Sequence, residues 1–359
     1  MNHDSASPEK LRRRHRRILV IRPDRVGDVT LTTPVIRALR RSFPDAYLAA
    51  LVRPATEAVL RRNPNLDTIL IDDLDNTHAG YGGFFNRLRM LRSHHFDTAL
   101  MLLPTERHAW MTFFAGIRTR IGVGNKLYQV LTFARTVSRN KYIPLRHEAD
   151  YSLDLARAIG AGSDDLSVEV FLTDEERRDA RARLRNAGRR GDRPLISIHP
   201  ESGGSAPNWD LATYRVFIER LLESLPGVDV LVDITPGNSE ARKTFEAFKT
   251  PGVLIPGPAD LRMLMGFLAE ADIVVSSSSG PMHLAAAVKT VTVSLFCPLP
   301  ACSVALWGPQ GNTSRIVLPH DDYCRTRCPG DPHVCTFTDG IGVDDVLGAV
   351  KEMLEKKRG

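Results

Sequence analysis

The chain has 359 residues, 43% of them apolar and 25% charged, a soluble globular composition with room for two domains that each bury a core. It is basic, with a formal charge of +6, and no stretch approaches about 18 consecutive apolar residues, which excludes a membrane-spanning helix. The apolar run 18–21 behind the basic amino terminus is too short for a signal-peptide core, so the chain is expected to stay in the cytoplasm.

Most of the charge excess is local. Residues 1–17 carry Lys10, Arg12, Arg13, Arg14, Arg16 and Arg17 against Asp4 and Glu9, six minus two, or +4. Residues 1–16 read as a basic flexible tail. LRRRHRR lacks the aromatic interleaving of a single-strand nucleic-acid groove, so no nucleic-acid partner is expected. The tail is either simply solvated or adheres to the anionic inner face of the cytoplasmic membrane, where each basic side chain contributes about 1 kcal/mol.

Behind the tail, Ile18 to Ile21 is a buried-type strand, and from Asp28 the apolar residues Val29, Leu31, Val35, Ile36 and Leu39 fall at helical spacing. Asp28 therefore stands at the carboxyl end of the first strand, where open α/β sheets place their ligands. It is either a helix cap or a catalytic carboxylate. The turn has one glycine and no G-x-G-x-x-G, which argues against a dinucleotide-binding dehydrogenase. Strands at 47–52, 68–71 and 98–103 alternate with helical patterns near 56–61 and 84–94, indicating a parallel sheet covered on both faces. Arg107, Arg118 and Arg120 follow the last of these strands and could read phosphate or carboxylate on an acidic substrate. HEADYSLDLARAIGA closes the first half as an amphipathic helix, and residues 161–172 form a connector.

A second alternation follows. TDEE at 173–176 starts a helix with acidic residues in its first turn. Strands are expected at 195–198, 228–233 and 253–255, with a Gly-Ser loop and a helix at 211–222 between the first two. Two α/β domains facing a cleft result, at 17–170 and 171–342, with a final amphipathic helix in 343–359.

Within the second domain lies ADIVVSSSSGPMHLAAAVKTVTVSLF, from Ala271 to Phe296. It reads as strand, four serines, a Gly-Pro step, a helix carrying His283, and a second strand. Gly280 can supply an unusual backbone angle, and Pro281 is favoured at a first helical position. A helix starting just past a strand's carboxyl end offers free N–H groups to an anion; a plain serine-capped connection is the alternative. All five cysteines lie from Cys297 onward. Cys324, Cys328 and Cys335, with His333 and His320 nearby, suggest reduced thiols or a structural zinc, although the spacing is not that of a paired C-x2-C ribbon.

These residues resemble glycosyltransferase family 9, the heptosyltransferases of the lipopolysaccharide inner core. The resemblance runs from Ile18 to about Cys335 and is carried by IRPDRVGDVTLTTP at 21–34, RIG at 120–122, HPESGGSAPNW at 199–209 and SSGPMHLAAA at 278–287. It implies a GT-B fold of two Rossmann-like domains, the first binding the acceptor and the second ADP-heptose, with no metal or cofactor. It implies that Asp28 is the base of an inverting transfer. Ser202, Ser205, Ser278, Ser279, Gly280, Pro281 and His283 would then hold the donor's phosphates and sugar, Glu240 the ribose and the backbone near Ala259 the base. Arg22, Arg25, Arg118 and Arg120 would serve an anionic glycolipid acceptor at the inner face of the cytoplasmic membrane. Two positions depart from the family. Pro207 stands where members carry a lysine, and Ser278 where they carry an aspartate. These departures leave open a different nucleotide-sugar donor, and a binding protein without catalysis is a further alternative.

Overall fold

The computed structural model describes residues 9, 11, 14–139, 143–191, 193–248, 250–331 and 333–358. The chain forms two compact units, Met1–Leu166 and Ser167–Gly359, so the division falls inside the expected connector.

In unit 1 the elements are β1 (Arg17–Ile21), α1 (Val26–Thr30), α2 (Thr33–Ser42), β2 (Tyr47–Val52), α3 (Glu57–Leu60), β3 (Thr68–Ile71) and α4 (Gly80–Ser93). They continue with β4 (Thr98–Met101), α5 (Glu106–Phe114), β5 (Thr119–Val123), α6 (Leu127–Leu131), β6 (Arg135–Val137) and α7 (Glu148–Arg157). The sheet is parallel, in the order β3-β2-β1-β4-β5-β6. β1 lies at its centre, in register with Tyr47–Leu51 on one side and Thr98–Met101 on the other. Its residues Ile18 to Ile21 are buried because helices cover both faces. Leu19, Ile21, Ala49, Leu51, Leu88 and Leu91 belong to one core cluster.

The helix expected from Asp28 is two helices. α1 ends at Thr30, and α2 restarts at Thr33 with Pro34 near its beginning. Pro34 has no N–H to donate to the Thr30 carbonyl, so the ladder cannot run on through it, and it is accommodated in the first turn of a new helix. The apolar spacing survives the break, which is why the sequence reads as continuous. Strands β5 and β6 and helices α5 and α6 were not anticipated. Their sequences are short and lack clean periodicity, and RTRIGV reads as a cluster of cations before it reads as a strand.

Of the expected tail, Lys10, Arg12 and Arg13 lie outside the described residues, as do residues 1–8. Its last part meets the fold: Leu11 lies against Gly160, and His15 is 3% exposed with its ring on the Thr98 hydroxyl at 2.7 Å.

Unit 2 begins with α8 (Asp174–Asn186), opened by a capping box between Thr173 and Glu176. It continues with β7 (Leu195–His199), α9 (Leu211–Ser224), β8 (Asp229–Val232), α10 (Ser239–Glu246), β9 (Val253–Leu254), α11 (Leu261–Glu270), β10 (Ile273–Ser277) and α12 (Gly280–Ala287). β11 (Val291–Leu295), α13 (Val304–Trp307), β12 (Ser314–Val317), α14 (Tyr323–Thr326) and α15 (Val343–Arg358) complete it. The sheet order is β12-β11-β10-β7-β8-β9, the same winding as unit 1 read from the other edge. Side-chain oxygens of Asp210, Asn238 and Asp260 accept backbone N–H bonds at the starts of α9, α10 and α11, satisfying donors that a helix start otherwise leaves open. The final helix α15 is part of this unit, packed on α9 and on strands β10 to β12.

Candidate active site

Both sheets reverse direction of winding beside their first strand, and the loops leaving the carboxyl ends there diverge into a crevice. In unit 1 that point lies between β1 and β4. Arg22, one residue past β1, spans it: its backbone N–H donates to the Leu51 carbonyl (3.0 Å) and its guanidinium to the Leu102 carbonyl (3.3 Å). The same guanidinium binds Asp28, sits 3.3 Å from an Asp24 oxygen and 3.3 Å from Oε1 of Glu148. Glu148 is fully buried and also takes Arg139 at 2.8 Å. Three carboxylates therefore share one buried cation. Burial by itself would lower the Arg22 pKa, but Asp28, Glu148 and Asp24 outweigh it and raise it. Burial and the neighbouring Asp28 hold the Asp24 carboxyl above its ordinary range, although Arg22 acts the other way.

Asp28 does not cap α1. The cap position is Arg25, with no side-chain cap bond, and Asp28 lies in the first turn with 17% of its side chain exposed. Its carboxylate is thus oriented by Arg22 and still reaches solvent. Arg22, expected as an acceptor contact, instead orients Asp28, and it is only 3% exposed. Arg25 is exposed. Arg118 and Arg120 do not join this group. They flank the start of β5, where Arg120 is in register with Ala99, and so lie toward the amino end of a parallel sheet whose carboxyl end carries Asp28. Arg120 is spent on the Ile117 and Thr132 carbonyls and the Phe113 ring. Arg107 is likewise taken, forking onto buried Asp72 with both bonds at 3.1 Å.

The corresponding point in unit 2 lies between β7 and β10. The turn after β7 carries Ser202 and Ser205; the Ser205 hydroxyl and N–H both donate to the Ser202 carbonyl (2.7 and 3.1 Å). Gly203 and Gly204 have φ of 57° and 71°, where an L side chain would be strained. After β10, Ser279 is extended (φ −141°, ψ 174°) and α12 starts at Gly280 with Pro281 behind it. Gly280 is not among the positive-φ residues; the extended Ser279 makes the turn, so the expected special angle falls one loop away, on Gly203 and Gly204. The hydroxyls of Ser276, Ser277 and Ser279 are buried and have no hydrogen-bond partner among the described residues. Ser278 and Pro281 are half-buried, and His283 is 4% exposed on the first turn of α12.

Glu240 is exposed in the first turn of α10, and Ala259 sits half-buried just before α11. The loops after β10, β7, β8 and β9 therefore carry all the expected donor-side residues along one edge. Several supporting residues had not been singled out. Glu201 accepts from the Thr235 N–H (2.7 Å) and from Asn238, tying the β7 and β8 loops together. His199 pairs with Asp233, whose other oxygen takes the Ser197 hydroxyl at 3.2 Å. Glu148, in HEADY, had a visible signal as an acid in a helix's first turn; Arg139 and Asp233 had none.

The zinc alternative is not assembled. His333 turns its ring to the Gly204 carbonyl (2.8 Å), and the Cys335 sulfur meets the Tyr323 hydroxyl (3.3 Å). Among the described residues no group of three or more His, Cys, Asp or Glu side chains is arranged to hold a metal ion. All five thiols are free, Cys297 and Cys335 buried and Cys302, Cys324 and Cys328 half-buried. Through His333, and through the Asn208 N–H on the Cys335 carbonyl (3.2 Å), this segment buttresses the 200–209 loop.

Two parallel sheets of this winding, each with polar groups at its switch point, make up the GT-B architecture. The profile of glycosyltransferase family 9 (heptosyltransferase) matches residues 85–329, and the chain belongs to that family. It is 28% identical over 312 residues to a presumed glycosyltransferase of Haemophilus influenzae, covering 84% of this chain and 88% of that one. It is 23% identical over 338 residues to lipopolysaccharide heptosyltransferase 3 of Escherichia coli, covering 91% and 96%. Among solved structures, the glycosyl transferase family 9 protein of Veillonella parvula superposes with a TM-score of 0.81 at 20% identity, covering 95% of this chain and 97% of that one. The ADP-heptose lipopolysaccharide heptosyltransferase II of E. coli superposes at 0.75 and 21%, covering 96% and 100%. At those identities the superpositions establish the fold.

Proposed function

We propose that this enzyme transfers heptose from ADP-heptose to the lipopolysaccharide inner core, inverting the anomeric centre, with Asp28 as base. Two of the relatives named above are lipopolysaccharide heptosyltransferases, one of them named for ADP-heptose, and the chemistry needs what the two units supply. Asp28 takes the acceptor hydroxyl's proton as that oxygen bonds to the anomeric carbon, and the bond from that carbon to the phosphate oxygen breaks. The developing charge on ADP is met by the N–H groups at the start of α12 and by the adjacent serine hydroxyls. Donor binding falls to unit 2. The loops from β10 to β9 run over three inter-strand spacings, roughly 14 Å, a suitable length for an extended nucleoside diphosphate. The acceptor falls to unit 1, and because it is a lipid-anchored glycan the enzyme works as a peripheral protein at the inner face of the cytoplasmic membrane.

The observation that carries this reading is that Asp28, free of any capping role, is aimed by a buried arginine and keeps an exposed edge. Asp28→Asn should reduce kcat by about 10²–10⁴-fold while ADP affinity, measured by calorimetry, stays within about three-fold. Retention of more than about a tenth of the activity removes Asp28 from the role. Buried Pro207 and half-buried Ser278 favour a second reading, a different nucleotide-sugar donor, and a donor panel under the same assay separates the two. Nucleotide binding with no transfer from any donor would identify a non-catalytic relative.

A further inference from the structure

Unit 1 exposes a group of large apolar side chains that its core does not use. Phe133 is 79% exposed, Leu127 72%, Val130 64%, Leu131 51% and Phe114 46%. α6 is fixed by its other two residues: Gln129 is buried, and the Tyr128 hydroxyl donates to the Pro104 carbonyl at 2.8 Å. The remaining three are left facing solvent. Ring contacts make the group continuous with α5, since Phe113 lies 6.3 Å from Phe133 and 5.5 Å from Phe114, and Phe114 stacks on Trp110 at 5.6 Å. A contiguous apolar patch on a soluble protein marks an interaction site.

The charge around the patch selects the partner. Between Glu106 and Glu148 the sequence holds eight basic side chains and no acidic one; Arg107, Arg139 and Arg146 are paired with Asp72, Glu148 and Asp150 and Arg120 with carbonyls, and exposed ones frame the patch. Lys126 immediately precedes Leu127, Arg135 follows Phe133 by two residues, and Arg118 leads into β5; all three are exposed. Arg92, on α4, adds its guanidinium at the Phe114 carbonyl (2.9 Å). Apolar side chains ringed by cations match a bilayer bearing anionic headgroups, where the former enter the acyl boundary and the latter meet phosphates. A second copy of the chain is a poor fit, because a two-fold contact through this patch sets its cations against one another.

We infer that the α5–α6 face, from Trp110 to Arg135, docks the enzyme on an anionic lipid bilayer. The inference rests on the lipid-anchored acceptor proposed above, and it assigns the membrane contact to a folded surface in addition to the basic amino-terminal stretch. The test is co-sedimentation of the full chain with phosphatidylcholine vesicles, with and without phosphatidylglycerol. Combined Leu127→Ser, Val130→Ser and Phe133→Ser should lower the partition coefficient at least about ten-fold with an unchanged circular dichroism melt, since all three are exposed. Lys126→Gln with Arg135→Gln should lower it by roughly five-fold per charge, only on phosphatidylglycerol vesicles and less at high salt. Transfer to a delipidated, water-soluble acceptor should be unaffected by either set. Vesicle binding that survives both sets, or that is lost only when Lys10, Arg12 and Arg13 become Gln, overturns the inference. So does light scattering that shows a dimer which the serine variants dissociate. A wild-type enzyme that binds vesicles through this face yet transfers no sugar would refute the proposed reaction and leave the docking face standing.

Discussion

Replacing Glu148 by glutamine removes the carboxylate that two buried guanidiniums share. Oε1 lies 3.3 Å from Arg22 and 2.8 Å from Arg139. At an effective dielectric constant of about 20 these contacts correspond to about 5 and 6 kcal/mol of gross attraction. Most of that offsets the desolvation of a fully buried carboxylate, so the net cost follows the measured range for breaking one side of a buried pair, about 3–5 kcal/mol. In a unit of this size each kcal/mol moves the melting temperature by about 2–4 °C, giving a fall of about 6–20 °C. Arg22 would then lose an anchor and hold Asp28 less firmly, so kcat should drop at least about ten-fold with little change in donor KM. Differential scanning calorimetry and steady-state kinetics on one preparation read both. A melting shift below about 2 °C would show that Glu148 carries no buried charge load. An unchanged kcat beside a large melting shift would confine Glu148 to the fold. Adding Arg139→Met should recover part of the stability, because it removes the cation left unpaired.

Gly266 on α11 has room for no side chain: a Cβ there would lie 2.7 Å from the Cβ of Ala180 on α8. Gly266→Ala should therefore destabilise by about 1–2 kcal/mol despite its better helix propensity, and Ala180→Gly in the same chain should recover part of this; a raised melting temperature refutes the close packing. A hydrogen bond from Cys297, outweighing burial, brings the Cys302 thiol down to about 7, whereas burial lifts Cys324 to about 11. Iodoacetamide at about pH 8 should label Cys302 well before Cys324, and equal rates by peptide mass spectrometry contradict the pairing. Burial would lower the His199 pKa, but Asp233 outweighs it and raises it above the ordinary 6.5. The pair's stabilisation is then complete below the unfolded value and is lost as pH rises through the higher folded value. The gap in urea midpoint between wild type and Asp233→Asn should shrink as pH rises above the ordinary 6.5; a constant gap refutes the pairing.

The alternation of strand and helix in both halves and the central strand cores were legible because parallel strands are buried on both faces and appear as short apolar runs, whereas the order of strands in each sheet came from the structure. Ile18–Ile21 and Ile273–Val275 needed nothing beyond that. Asp28 and the Ser-Gly-Pro step were legible for a related reason: they follow those runs directly, and the chain has nowhere else to put them than the sheet's carboxyl edge. The place of Arg118 and Arg120 was not legible because a cluster of cations hides the start of β5, and a strand start faces the opposite edge of a parallel sheet. The break between α1 and α2 was hidden by apolar spacing that continues through it.

Sequence by itself determined the alternation of strand and helix, the family, and which loops carry polar groups, since each of these depends on neighbours along the chain. Tertiary structure decided what the charged residues do. Arg22 could have met a substrate, but Glu148, 126 positions away, draws it inward and makes it the support of Asp28. Arg107 and Arg120 are consumed by partners on other elements, while Leu127, Val130 and Phe133 are left outside by the packing of α6. A guanidinium's role is set by the carboxylates and carbonyls within about 4 Å of it, and local sequence does not encode which distant segments supply them.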